Sequence, residues 1–263
     1  MSHRLLDLPT TVESAQRALG RIRYGSDLRI GTAALVLNPD SPLVTANMVT
    51  EVGGSPAAAA ATLAALPAVF VDAGRREVVL VSSPSSLPEL DVVAEEAGYL
   101  AIDEGAVLLL AEPGLLVEHE PGVRVVLLRE RDEPDLSTLL VDSYGWPAGV
   151  EEQLGLSLGH RLDDPRVRVF AAYDQGGLVG AALSFLFADA SAIVGIVSEI
   201  AVRVASRRRG LGRALTSAAA SDLLSRGAHR VIVAVDAASV AERMCVGIGF
   251  EPAYETITYS LRT

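Results

Sequence analysis

The chain has 263 residues, 50% of them hydrophobic and 21% charged, enough for one large or two modest globular domains. Its formal charge of −11 argues against the broad basic surface that general binding to nucleic acid needs. A single cysteine, Cys245, permits no internal disulfide, and His3, His119, His160 and His229 lack the paired spacing of a metal set; with Arg4, Asp7 and Glu13 in place of an apolar signal core, and Ala57 to Val71 broken by Thr62 and Pro67, a cytoplasmic, metal-free protein that does not touch membrane is expected.

In chain order, Leu43 to Val52 is strand-like, and Gly53-Gly54-Ser55-Pro56 bends the chain, with the proline suited to the first turn of a helix. An alanine-rich run, Ala57 to Leu66, follows, then a strand-like Val78 to Val81 and the tripeptide Ala97-Gly98-Tyr99. The stretch from Glu112-Pro113-Gly114 to Pro121-Gly122 is rich in proline and glycine and reads as a linker.

Beyond it, Val123 to Leu128 reads as a strand, and Pro134 to Ser143 and Glu151 to Leu158 as helices. Val167 to Tyr173 and Leu178 to Phe187 form a hairpin across Asp174-Gln175-Gly176-Gly177, and Ile193 to Val202 is the next strand. Leu211, Leu215, Ala219 and Leu223 line one face of a helix that closes at Gly227. Arg230 to Asp236 is an apolar strand, Ser239-Val240-Ala241-Glu242 has the form of a capping box opening a helix that ends at Met244-Cys245-Val246-Gly247-Ile248-Gly249-Phe250, and Tyr254 to Leu261 is the last strand.

The chemistry concentrates where the strand Ser198-Glu199-Ile200-Ala201-Val202 runs through Arg203-Val204-Ala205-Ser206 into Arg207-Arg208-Arg209-Gly210-Leu211-Gly212-Arg213. Backbone N–H groups at a helix start are unpaired and carry the positive end of the macrodipole, so glycines that admit a ligand make such a loop an anion site. Neither the nucleotide-binding P-loop nor the dinucleotide fingerprint is present; the pattern is R-x-x-G-x-G. After a strand ending in Ala-Val, it resembles the acyl-CoA loop of the GNAT superfamily of N-acetyltransferases, and Ile248-Gly249-Phe250 resembles the closing L-G-F of that family's second CoA-contacting segment. The resemblance covers roughly residues 123 to 263. It implies that amides from about Val202 to Val204 and from Arg208 to Arg213 surround the pantetheine and pyrophosphate of acetyl-CoA, with Val202, Arg203, Val204, Arg207, Arg208, Arg209, Gly210, Leu211, Gly212 and Arg213 as binding residues. Without the flanking elements, the same loop would read as a basic surface turn.

Laying Ala97-Gly98-Tyr99 on Ile248-Gly249-Phe250 brings Leu43 to Val52 near the strand ending at Val202, and the alanine-rich run onto the arginine loop and its helix. The expected fold is therefore α+β: two GNAT-like units, each a mixed, mostly antiparallel twisted sheet flanked by helices. Residues 1–117 form a degenerate N-terminal domain and 123–263 the domain that binds acetyl-CoA. The first unit has Gly53-Gly54-Ser55-Pro56 and five alanines where the second has its arginines, so no cation remains there to meet a pyrophosphate.

The family chemistry is direct attack of a neutral amine on the acetyl thioester. For the oxyanion, the resemblance points to the Val202 N–H, the alternative being an ordinary ladder amide. For the base, Glu199 stands in an otherwise apolar strand, where a carboxylate either faces a wet cleft or is paired. Many family members have a tyrosine acid where Cys245 stands; a thiol with an ordinary pKa of about 8.5 could hand over a proton, or simply fill core space. Ser143-Tyr144-Gly145-Trp146-Pro147 partly walls the acceptor pocket, making Tyr144 and Trp146 candidate substrate residues. The expected function is transfer of an acetyl group from acetyl-CoA to the amine of a small molecule or peptide N-terminus, in a protein that could be a homodimer. The alternatives are a catalytically silent acyl-CoA-binding regulatory module and a binder of nucleic acid or phosphoprotein that uses the arginine patch.

Overall fold

A computed structural model describes residues 8–117, 124–128, 133–147, 149–175, 177–189 and 192–263. The chain divides into a first unit, Met1–Ala106 with Tyr254–Thr263, and a second, Val107–Ala253. The sequence reading kept the last residues with the second unit; the structure assigns them to the first because Ile257 to Arg262 pair antiparallel with Ser82 to Glu77.

The first unit opens with α1 (Leu8–Gly20), followed by β1 (Ser26–Ile30), β2 (Ala33–Leu37), β3 (Asn47–Thr50), α2 (Pro56–Asp72), β4 (Glu77–Ser82) and α3 (Leu90–Glu96). Its strands lie in the order β1-β2-β3-β4-β11, where β11 is Phe250–Arg262. The pairs β1–β2 and β2–β3 are antiparallel, and β3–β4 is parallel with Val49 opposite Leu80. Against this sheet α2 buries Ala59, Thr62, Leu63, Leu66 and Phe70, a helical spacing that places all of them on one stripe. Pro67 sits inside that helix and has no N–H for the Leu63 carbonyl; the Tyr99 hydroxyl donates to that carbonyl instead, at 3.1 Å. Of the strand expected over Leu43 to Val52, only Asn47–Thr50 is β3, since Val44–Ala46 forms a 3-10 turn.

Near the end of β3, Glu13 is buried and accepts from the hydroxyls of Ser83 and Ser85. Burial raises its pKa above the ordinary carboxylate value, with Glu51 adding to the rise and the two hydroxyls and Arg17 opposing it. A raised folded value means the native state holds this proton more tightly than the unfolded chain, so the group's contribution to stability grows as pH falls through that value. The expected result is a urea midpoint that rises, relative to Glu13→Gln, as pH is lowered from about 7 to about 5. A flat difference would show that the carboxyl titrates as if it were in water.

In the second unit, the final residues of β5 (Leu100–Leu110) are followed by β6 (Arg124–Leu127), α4 (Glu133–Tyr144), α5 (Glu151–Leu162), β7 (Val167–Asp174), β8 (Gly177–Ala188), β9 (Ile193–Val202), α6 (Leu211–Ser225), β10 (Arg230–Asp236), α7 (Val240–Val246) and the start of β11. The strand order is β5-β10-β9-β8-β7-β6, with β6 to β9 antiparallel and β9–β10 parallel. Each unit is thus a mixed, mostly antiparallel sheet with helices, and the first repeats the order of the second from α5 onward. Val123 and Gly176 of the expected strand and turn, and 118–122 of the expected linker, lie outside the described residues.

Helix α6 packs tightly on the second sheet because two facing strand positions are glycine. A Cβ on Gly180 would stand 2.9 Å from Leu215 Cδ1, and one on Gly195 2.8 Å from Leu223 Cδ1. Among the described residues, no helix is long and apolar enough to cross a membrane.

Candidate functional site

The arginine loop forms where β9 outruns its partner. Parallel pairing with β10 runs from Arg230–Val194 to Val233–Val197 and stops, so Ser198–Val202 and Ala234–Asp236 continue without pairing to each other. On the other side, the Arg203 N–H donates to the Val179 carbonyl of β8 at 2.9 Å. Successive strand amides face opposite ways, so the Val202 N–H is turned from β8 toward the side where β10 no longer pairs.

The chain then makes a 3-10 turn, Val204–Ser206, and enters α6 with Arg208 at φ 65° and Gly210 at φ 77°. Gly210 is the helix N-cap; its carbonyl takes the first helical bond, from Ala214 N–H at 3.0 Å, and no side chain caps the helix. The amides of Leu211 and Gly212 therefore have no intrahelical acceptor. Gly212 also lets α7 approach, since a Cβ there would meet Met244 Sδ at 2.9 Å. In the first unit, the corresponding helix α2 is closed by its own N-cap, the Ser55 hydroxyl accepting from Ala58 N–H at 3.3 Å, and Pro56 has removed one N–H. The uncapped start of α6 and the capped start of α2 separate the two units more sharply than the count of arginines does.

Most of the arginines brace the loop. Arg203 donates to the Leu178 carbonyl at 2.7 Å and lies 3.3 Å from Asp142. Arg207 reaches the carbonyls of Val202 and Ser143, both at 3.1 Å, and Arg209 pairs with Asp174 at 3.4 Å. Arg208 is exposed and, among the described residues, has no side-chain partner. Arg213 and Val204 are exposed on the same stretch. The cationic side chains and the unpaired amides together fit a phosphate-bearing ligand.

Tyr144 and Trp146 stack with centroids 5.1 Å apart at 17°. The Tyr144 hydroxyl donates to the Ile200 carbonyl at 3.2 Å; burial, then the charges of Glu199 and Asp236, raise its pKa, so this end of the ring meets the ends of β9 and β10, where the two no longer pair with each other, as a protonated phenol. Glu199 has φ 51° and forms an ion pair with Arg161, whose side chain is 3% exposed; Oε2 of Glu199, Nη2 of Arg161 and Oγ of Ser198 are buried without a hydrogen-bond partner among the described residues. Cys245 is fully buried in α7, and burial with Glu242 nearby pushes its thiol up to about 12, surroundings that suit a packing side chain better than a proton donor.

The sequence reading did not single out Arg161, Asp236 or the Ser55 cap. Arg161 carried a usable signal, as an arginine in the last turn of an amphipathic helix, but only burial shows that it needs an anionic partner.

No curated protein matches this chain. Among solved structures, a GCN5-related N-acetyltransferase from Kribbella flavida superposes with a TM-score of 0.72 at 19% identity, over 96% of this chain and 95% of that one. A functionally unknown conserved protein from Staphylococcus epidermidis gives 0.69 at 13%, over 91% and 95%. A tandem GNAT protein from the clavulanic acid biosynthesis pathway gives 0.63 at 14%, over 98% and 92%. At these identities the likeness is one of fold, and it extends over both units. The family model for the acetyltransferase (GNAT) family matches residues 133–245, from α4 into α7, all within the second unit.

Proposed function

We propose that the second unit binds acetyl-CoA along the end of β9 and the start of α6, and transfers the acetyl group to the amine of a small-molecule or peptide acceptor. The observation that carries this reading is the uncapped, glycine-led N-terminus of α6 lying next in the chain to the end of β9 that no longer pairs with β10. The amides of Leu211 and Gly212, with Arg208, would meet the pyrophosphate. The amine would give up a proton to water before it attacks, and the Val202 N–H would meet the thioester oxygen and stabilise the charge that develops there as the C–N bond forms. As the C–S bond breaks, water or another group would protonate the departing thiolate while the new amide nitrogen loses its surplus proton to water. Tyr144 and Trp146 present an aromatic face to the acceptor, beside Asp236, which suits an amine that arrives as a cation.

The environment of Cys245 favours a second reading, an acyl-CoA-binding module without turnover. Calorimetric titration of the whole chain with acetyl-CoA should give saturable one-to-one binding, because α2 of the first unit is capped and carries no arginine loop. Thiol release over a panel of amines then separates enzyme from module: release with any one of them establishes transfer, and binding without release supports the module. Absence of binding would sink both readings.

A further inference from the structure

The strand bulge at Glu199 occurs twice in this chain. In the second unit, the step from Leu183 to Ala181 on β8 faces the longer step from Ser198 to Ala201 on β9. In the first, Ala34 lies opposite Thr50, and two residues back the Thr32 carbonyl accepts from the N–H of Gly53, at 3.1 Å, three residues on. Each is a two-against-three bulge, and each begins its extra turn with a glutamate: Glu51 at φ 52° and Glu199 at φ 51°. A residue with a Cβ stays in that left-handed region only where its surroundings hold it there.

One partner is common to both units; Glu51 has a second, Arg29, whose Nη2 donates to Oε2 at 2.9 Å. An arginine from the last turn of the preceding helix, 4% exposed for Arg17 and 2% for Arg161, pairs with the bulge glutamate; Arg17 Nη1 lies 2.6 Å from Glu51 Oε1, and Arg161 Nη1 pairs with Glu199 Oε1. The first unit is an internal control. It has no arginine loop and its α2 is capped, yet the ion pair remains, so the pair serves the backbone rather than proton transfer.

We infer that Arg161 and Glu199 are positioning residues whose ion pair holds the β9 bulge and so sets which amides face the acyl donor. Because strand amides alternate, the extra residue decides that Arg203 N–H bonds β8 while Val202 N–H faces away; an unbulged strand would exchange the two. The inference rests on the acetyl-CoA reading of the second unit, and it gives Glu199 a role other than that of the base.

Two double variants that differ by one methyl group test it. Both remove the buried charges, so neither leaves Arg161 unpaired. Arg161→Met with Glu199→Gly supplies a residue that takes φ 51° unaided, and acetyl-CoA affinity should stay within about threefold of the parent. Arg161→Met with Glu199→Ala should lose at least about tenfold, and its Ala201, Val202 and Arg203 amides should exchange hydrogen faster without ligand. Equal affinities in the two doubles, whether both high or both low, would overturn the inference. If the parent itself binds no acetyl-CoA, the functional reading fails on its own account, and amide exchange still decides whether the pair holds the bulge.

Discussion

Gly210→Glu should weaken acetyl-CoA binding at least about a hundredfold, roughly 3 kcal/mol. Gly210 is the N-cap of α6 at φ 77°, where side chains are strained, and its neighbours are the open amides of Leu211 and Gly212. A glutamate there brings a negative charge to the spot that has to attract a pyrophosphate, and its carboxylate can itself accept from the open amides. Gly210→Ala separates the two causes. It carries the conformational cost, about 1–3 kcal/mol of stability, without the charge, so its affinity should fall only severalfold. Calorimetry with acetyl-CoA reads both variants, and thermal unfolding reports that each is folded. Undiminished affinity in Gly210→Glu would remove α6 from the donor site.

The shape of that loop was readable from the sequence because it is set by the backbone. Glycine spacing and a strand-to-helix order are local, and they put Arg208, Gly210 and Gly212 where unpaired amides are found. The helices and strands of the second unit were likewise legible from apolar periodicity, Glu133–Tyr144 and Leu211–Ser225 among them. In the first unit, α1 and the β1–β2 hairpin left weaker marks. The strand β1 is almost wholly exposed and carries little apolar alternation, and β2 is buried throughout, so neither shows the half-buried pattern. The repeat was visible at Gly98 and Gly249, both with positive φ, but the loops before α2 and α6 differ in length, so one fixed offset could not bring Glu51 onto Glu199.

Side-chain chemistry was less legible, since it depends on partners far along the chain. A glutamate in an apolar strand signals either a base or an ion pair, and the choice turns on Arg161, which sits on α5 and enters the argument only through its burial. Tyr144 stood out for its position beside the only tryptophan, whereas its bond to the Ile200 carbonyl and its closeness to Asp236 depend on where β9 and β10 cease to pair. Cys245 illustrates the opposite limit: its ordinary pKa allows proton donation, and only the packing of α7 makes the thiol a poor donor.

The same repeat yields the largest expected loss of stability. Gly249→Ala and Gly98→Ala place a methyl group at equivalent turns, φ 97° and φ 86°, each after a short helix and before a long strand. Both incur the cost of a left-handed backbone, about 1–3 kcal/mol. At Gly98 the new Cβ meets only Leu261 Cδ1 at 4.0 Å, an ordinary contact. At Gly249 it would stand 2.2 Å from the Glu112 carbonyl oxygen and 3.0 Å from the Glu112 carbonyl carbon, backbone that cannot swing aside as a side-chain tip can. That backbone is fixed, because the N–H groups of Ala111 and Glu112 both donate to the Gly249 carbonyl, at 2.9 and 3.0 Å. Displacing it adds an overpacking cost of about 1–3 kcal/mol and strains two hydrogen bonds. Gly249→Ala should therefore cost about 3–5 kcal/mol in all, lowering the melting temperature by roughly 10 °C, with Gly98→Ala showing less than half of that. Denaturant midpoints for the two variants measure the difference directly. Equal losses would mean that the Glu112 segment yields without cost, and that the close approach at Gly249 is incidental to the fold.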